Sequence, residues 1–162
     1  MESDVRLALA DAAALLALNP RDVRPASEEL ISLACDALVA GLVTPALCEL
    51  AAASYASDYW DLRDVIERTL LELDQQELPT DEVQLQERAA RAIARRLLGG
   101  LMTGREAAQW AHRRIGHDGA PSVQQLVVLD DRFDCLGYGA ETEGDLEAEA
   151  RELARQLLGH DS

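Results

Sequence analysis

The sequence predicts an all-α protein, a compact orthogonal or irregular bundle of about seven or eight helices in a single domain with short loops. Three observations carry that expectation. Apolar residues recur at three- and four-residue spacings through every long segment. The breaks between segments are short and hold Pro, Gly and helix-capping residues. A chain of 162 residues, 48% of them apolar, is long enough to bury a core without staples.

The elements follow in order. Residues 3–18 read as a first helix, with Leu7, Asp11, Ala14 and Leu18 on one side and Ala8, Ala12 and Leu15 on another. The string NPRDVRP stops it through Pro20 and Pro25. A second helix is expected from near Ser27, with Glu28 and Glu29 in its first turn. Its inner face is Leu30, Ala34, Ala37, Leu38 and Gly41, with Leu33 at the margin. The next stretch, LVAGLVTPALCELAAAS, is greasy but interrupted. Thr44 fits an N-cap and Pro45 the first position of a new helix, while Gly41 ends the old one. The stretch is therefore a helical corner. Asp36 and Glu49 and the lack of an unbroken apolar run argue against a membrane span.

The string SDYWDLRDVIERTLLELD is the most helix-like piece. Asp58 and Asp61 form an acidic version of the reciprocal cap, and Leu62, Ile66, Leu70 and Leu73 form the apolar face with Val65 and Thr69. Leu78 and Pro79 close a loop. Thr80 is expected to cap a helix reaching Leu98, with Val83, Ala90, Ile93, Leu97 and Leu101 as its apolar positions. Gly99 and Gly100 end it. Thr103 and Glu106 give a capping box for a helix that stops at Gly116, and Gly104 weakens its first turn. The string VQQLVVLDD divides the signals. Pro121 favours a helix start and Val127 and Val128 favour a strand, but a lone strand has no mate, so helix is expected. Residues 130–144 read as an irregular acidic segment. The last helix, 145–158, carries Leu146, Glu149, Ala150, Leu153 and Leu157 on or beside one face.

Thirty acidic residues face fifteen basic ones, for a net charge of -15, and every basic residue is Arg. The Arg bias fits the codon usage of a GC-rich genome. The acidity argues against general binding to DNA, RNA or an anionic membrane and favours a basic protein partner. Three cysteines, at 35, 48 and 135, show no redox or metal spacing. Cys35 and Cys48 are expected as small core fillers, which suits a reducing cytoplasm. The start, MESDV, is acidic where a signal peptide is basic, so the expected location is cytoplasmic.

Motifs that carry chemistry are scarce. Between residues 86 and 115, seven Arg face only Glu87 and Glu106. Arg88, Arg91 and Arg95 share one helical stripe, with Arg96 beside it. The stripe is expected to pair with acidic helices of the same molecule. A protein-binding patch comes second and nucleic acid last, because aromatic interleaving is limited to Trp110. His112 and His117 are five residues apart, which is not helical zinc spacing, and only folding would bring Asp118 or Asp130 to them. His160 lies near the end of the sequence. A calcium loop starting at Asp130 fails, with Arg132 at its third position and Cys135 where Gly belongs. The sequence holds neither a phosphate-binding Gly loop nor a G-x-S-x-G string. Cys135 with His112 or His117, and Glu67 or Asp64 with Glu82, are coincidental pairings of common residues. No catalytic residue, cofactor or metal ligand is therefore assigned.

The surface expected to bind is Tyr55, Asp58, Tyr59, Trp60, Asp61 and Asp64, extended by Glu72 and Asp74, with the acidic tail 141–152 as an alternative. Trp60 and Trp110 suit core anchors first and interface anchors second. The expected function is a small acidic protein-binding module, in its sharpest form an immunity or antitoxin-type inhibitor of a basic protein. The alternatives are a structural or regulatory helical protein that self-associates as a homodimer, and an enzyme of unrecognised type. Whether Tyr59 and Trp60 lie exposed beside carboxylates or sealed in the core separates these readings.

Overall fold

The computed structural model describes residues 2–20 and 23–159, with side chains described over 3–20 and 26–159. Among them are eight α-helices, one 3-10 turn and no strand. The helices are α1 (Glu2–Leu18), α2 (Val23–Val39), α3 (Pro45–Ala51), α4 (Tyr59–Glu72), α5 (Glu82–Leu98), α6 (Gly104–Arg114), α7 (Gln124–Asp134) and α8 (Glu143–Gly159), with the 3-10 turn at Pro121–Val123. The all-α expectation holds, and the doubtful segment before Asp130 is helical. Contacts divide the chain into two compact units, Met1–Thr80 and Asp81–Ser162. The sequence reading placed no boundary there.

In the first unit α1 packs on α2 and α4, and α3 packs on α2 and α4. The greasy stretch resolves as the expected corner. Gly41 takes φ +93, which releases the Gly41 and Leu42 amides to reach back to the carbonyls of Leu38 and Ala37. Thr44 then caps α3 by accepting from the Leu47 amide, and Pro45 opens the helix. A second cap comes from α4, whose Glu72 accepts from the Ala46 amide at 2.9 Å. The Thr44 hydroxyl and then that amide hold the Glu72 carboxyl below its ordinary range.

Helix α4 has the reciprocal cap its sequence announces. The Asp58 carboxylate accepts from the Asp61 amide, and the Asp61 carboxylate from the Asp58 amide. Leu62, Val65, Ile66, Thr69, Leu70 and Leu73 are buried as expected. The helix closes with amides of Asp74 and Gln75 returning to the carbonyls of Leu71 and Leu70, and Asp74 takes a left-handed φ of +55 where glycine is the usual occupant.

Several expectations are corrected in this unit. Helix α2 starts at Val23, not near Ser27, because Pro25 falls in the first turn, where a missing amide hydrogen costs nothing. Ser27 is fully buried and its hydroxyl donates to the Tyr55 carbonyl at 3.2 Å. Helix α1 has no simple inner stripe. Leu9, Ala10, Asp11, Ala12, Ala13, Ala14, Leu16 and Ala17 are all buried, while Leu7 is exposed. Cys35 and Cys48 are exposed rather than core fillers.

In the second unit α5 and α6 both pack on α8, and α6 and α7 form a closely packed pair. The cap of α5 is Asp81, not Thr80, and accepts from the Gln84 amide at 2.9 Å. Val83 is exposed, one turn too early for the buried face that Ala89, Ala90, Ile93 and Leu97 supply; Leu101, beyond the helix, is exposed as well. Helix α6 has the Thr103–Glu106 capping box. Gly104 does more than weaken its first turn. It is buried, and a Cβ there would sit 2.7 Å from the Ala150 Cβ of α8. The Glu147 carboxylate of α8 accepts from the Gly104 and Arg105 amides at 2.7 and 3.0 Å, completing the cap from outside.

The segment read as irregular is partly ordered by Arg132, which lies in α7. Its guanidinium forks onto Glu149 of α8 at 2.6 and 2.7 Å and also holds Glu141. The calcium-loop register is thus occupied by an ion-pair network with Arg at its centre. Helix α8 begins two residues before the expected start, with Leu146, Ala150, Ala154, Leu153 and Leu157 buried and Glu149 facing Arg132. No helix is long and apolar enough to cross a membrane among the described residues.

Candidate functional site

The expected binding surface is divided by the fold. Tyr59 is buried at the first position of α4, and burial pushes its phenol up. Trp60, one residue on, points outward and is 61% exposed, against the expectation of a core anchor. Tyr55 is 54% exposed in the preceding loop. The Tyr59 and Trp60 rings meet edge to face at 5.3 Å, so the buried ring steadies the exposed one.

The carboxylates around Trp60 have structural duties as well. Asp58 and Asp61 cap α4. Asp64 accepts from Arg68 at 3.0 Å, and Arg68 also holds Glu49 of α3 at 2.8 Å. Arg63 pairs with Glu67 at 2.8 Å. These pairs are exposed, and each carboxylate keeps lone pairs toward solvent; the Asp64 side chain is 87% exposed. On the helix surface Trp60, Asp64, Glu67 and Leu71 fall on one outward stripe, four and three residues apart, and all four are exposed. Glu72 is turned to the start of α3, and Asp74 shapes the end of α4.

The alternative surface, the acidic tail, is largely engaged. Glu141 and Glu149 hold Arg132, Glu147 caps α6, Asp145 pairs with Thr142, and Glu152 accepts from Arg155 at 2.9 Å.

A second cluster was not assembled from the sequence. His112 lies in the last turn of α6, and Gly116, at φ +71, reverses the chain just beyond it. The reversal brings His117 back onto His112, with ring centroids 5.0 Å apart. Helix α7 then presents two carboxylates. Asp130 Oδ2 lies 2.8 Å from His112 Nδ1. Asp131 reaches both rings, at 3.7 Å from His112 Nδ1 and 3.6 Å from His117 Nε2. The ligating atoms of His112, His117 and Asp131 all lie within 4.8 Å of one another. Sequence reasoning named both histidines and Asp130 but did not find Asp131, because the register between α6 and α7 decides it. Asp118 is exposed. His160 lies outside the described residues.

The loop carrying His117 is held by two glutamines. Gln124 Nε2 donates to the Gly116 carbonyl at 2.9 Å, and the buried Gln86 accepts from the Ala120 amide at 2.7 Å. A groove elsewhere in the same unit, about 390 Å³, is lined by Glu87, Arg91, Leu126, Leu153 and Gln156 among others. The Glu87 carboxylate in it already accepts from the Ser122 hydroxyl at 2.7 Å. Trp110 is half-buried on α6.

No protein-family model matches the chain, and no match was found among curated proteins or solved structures.

Proposed function

We propose that the protein is a protein-binding module that engages a basic partner through the outward face of α4 and the loop before it. The observation that carries the reading is Trp60, exposed and steadied by a buried Tyr59, with the exposed Asp61 next in sequence and Asp64 one turn on along the same stripe. Indole rings are prominent among residues that dominate interface energetics. An indole face also attracts Arg and Lys, and the flanking carboxylates extend that preference. A ring already fixed in place loses less freedom on binding than a free one. The net charge of -15 adds long-range attraction for a positive surface. An inhibitor of the immunity or antitoxin kind is the narrower form of the reading, and adds the demand that docking blocks the partner's activity.

The test compares the wild-type chain with Trp60→Ala as immobilised bait against an extract of the source cell, at low and at high salt. The expected result is a basic protein retained by wild type, released by salt and lost with Trp60→Ala, then confirmed by titration of the purified pair. Retention of the same proteins by both baits, or of none that responds to salt, would overturn the reading. If the face instead joins two copies of this chain, the solution mass of the wild type is doubled and that of the variant is not.

A further inference from the structure

We propose that His112, His117 and Asp131, with Asp130 against the His112 ring, form a binding site for one first-row divalent transition ion, with zinc as the best-suited occupant. The site is independent of the α4 surface.

The donor set selects the class of ion. Two imidazoles with carboxylate oxygen suit zinc, and cobalt or nickel less tightly held, whereas calcium and magnesium ask for oxygen alone. The spacing also fits. Zinc binds nitrogen and oxygen at about 2.0–2.1 Å, so the edges of an ideal tetrahedron of ligands are about 3.3 Å. His112 Nδ1 lies 3.7 Å from Asp131 Oδ1, His117 Nε2 lies 3.6 Å from Asp131 Oδ2, and one ligand atom from each of the three residues lies within 4.8 Å of the others. These separations exceed the ideal edge, the widest by up to about 1.5 Å, so the side chains rotate inward to close on the ion.

In the metal-free site the Nδ1–H of His112 donates to Asp130. Coordination through Nδ1 takes the neutral tautomer in which that proton sits on Nε2 instead, and Asp130 turns from hydrogen-bond acceptor to neighbour of the ion. The side chain of Asp130 is only 13% exposed, and both carboxylates stand on one regular helix, so this half of the site is preformed. The other half is a helix end and a loop whose backbone is fixed by Gly116, Gln124 and Gln86. An ion here would tie the end of α6 to α7. His117 and Asp131 are about half exposed, which leaves the ion a path from solvent.

The experiment is titration of the full-length chain, stripped by chelator, with zinc chloride by calorimetry and with cobalt by visible absorption. All three described thiols are exposed and bind such ions themselves, so the work is done in the background Cys35→Ser, Cys48→Ser, Cys135→Ser. Expected are one ion per chain, cobalt bands of tetrahedral intensity, and a melting temperature raised by zinc. His117→Ala and Asp131→Asn should each weaken binding at least tenfold and remove the zinc effect on melting, while the metal-free circular dichroism stays that of the parent. Two results would overturn the site: no saturable binding at one ion per chain in the thiol-free background, or binding there that both variants leave unchanged. Glu28→Gln, at an exposed position of α2 in the first unit, serves as the control for loss of surface charge.

Discussion

Replacing Gly104 by Ala sets two effects against each other, and the structure decides between them. Away from packing, the change favours a helix by up to about 1 kcal/mol. Here the added methyl would meet the Ala150 Cβ at 2.7 Å and the Glu147 Oε2 at 2.8 Å. The first contact is with a short side chain fixed to the backbone of α8, so it cannot be relieved by a rotamer change. Overpacking of this kind costs about 1–3 kcal/mol. Pushing α8 away also stretches the two hydrogen bonds from Glu147 to the start of α6, each worth about 1–2 kcal/mol to a charged acceptor that is half-buried. The net expectation is a loss of about 2–3 kcal/mol, or roughly 4–12 °C in melting temperature for a chain of this length. Urea unfolding followed by circular dichroism measures it. The double variant Gly104→Ala, Ala150→Gly removes the obstructing methyl and should recover part of the loss, although glycine inside α8 costs about 1 kcal/mol. A Gly104→Ala protein as stable as the parent, or a double variant whose losses simply add, would refute the close approach of α6 to α8.

Other outcomes follow from the same contacts. Tyr59→Ala should cost about 3 kcal/mol by emptying a buried site, while Trp60→Ala next to it should stay within about 0.5 kcal/mol, as urea midpoints will show. Asp74→Gly should stabilise the chain by about 0.5–1 kcal/mol, because glycine accepts the left-handed backbone that Asp74 now adopts. The carboxyl of Glu72 is held below its ordinary value of 4.5 by the Thr44 hydroxyl and the Ala46 amide. A depressed folded-state pKa contributes stability that is complete above the unfolded value and lost as pH falls through the folded one. Glu72→Gln should therefore melt with a flatter pH dependence below 4.5 than the parent does, while the two curves run parallel near neutrality.

Local chemistry made much of the fold legible. Thr44 with Pro45, Asp58 with Asp61, and Thr103 with Glu106 each satisfy amides within three residues, so the pattern needs no tertiary knowledge. What escaped depends on neighbours distant in sequence. Alanine-rich α1 offers no contrast between its faces, so its burial was illegible. Thr80 and Asp81 are adjacent capping residues, and only the fold chose Asp81. Cys35 adjoins the buried Ala34 yet falls on the other side of the helix. Trp60 was readable in part, since it shares a stripe with Asp64 and Glu67 rather than with Leu62 and Ile66. The histidine cluster was not readable, because the five-residue gap from His112 to His117 is bridged by a left-handed glycine and completed from another helix.

The excess of carboxylates also changes meaning once their partners are known. Glu72 and Glu147 each reach across to the start of another helix, while Asp58, Asp61, Asp81, Glu106 and Asp145 serve at the starts of their own. A helix N-terminus offers unpaired amides and a positive dipole end, so the eight α-helices among the described residues give many places where an acid is favourable and a base is not. Part of the acidity is thus a consequence of building with capped helices, and net charge alone is a weak pointer to a partner. That shifts the weight of the functional reading onto Trp60. An acid can be explained by the helix it caps, but an exposed indole held by a buried neighbour has no such architectural use. If Trp60→Ala leaves every association of the chain unchanged, the acidic surface has no remaining claim to a partner.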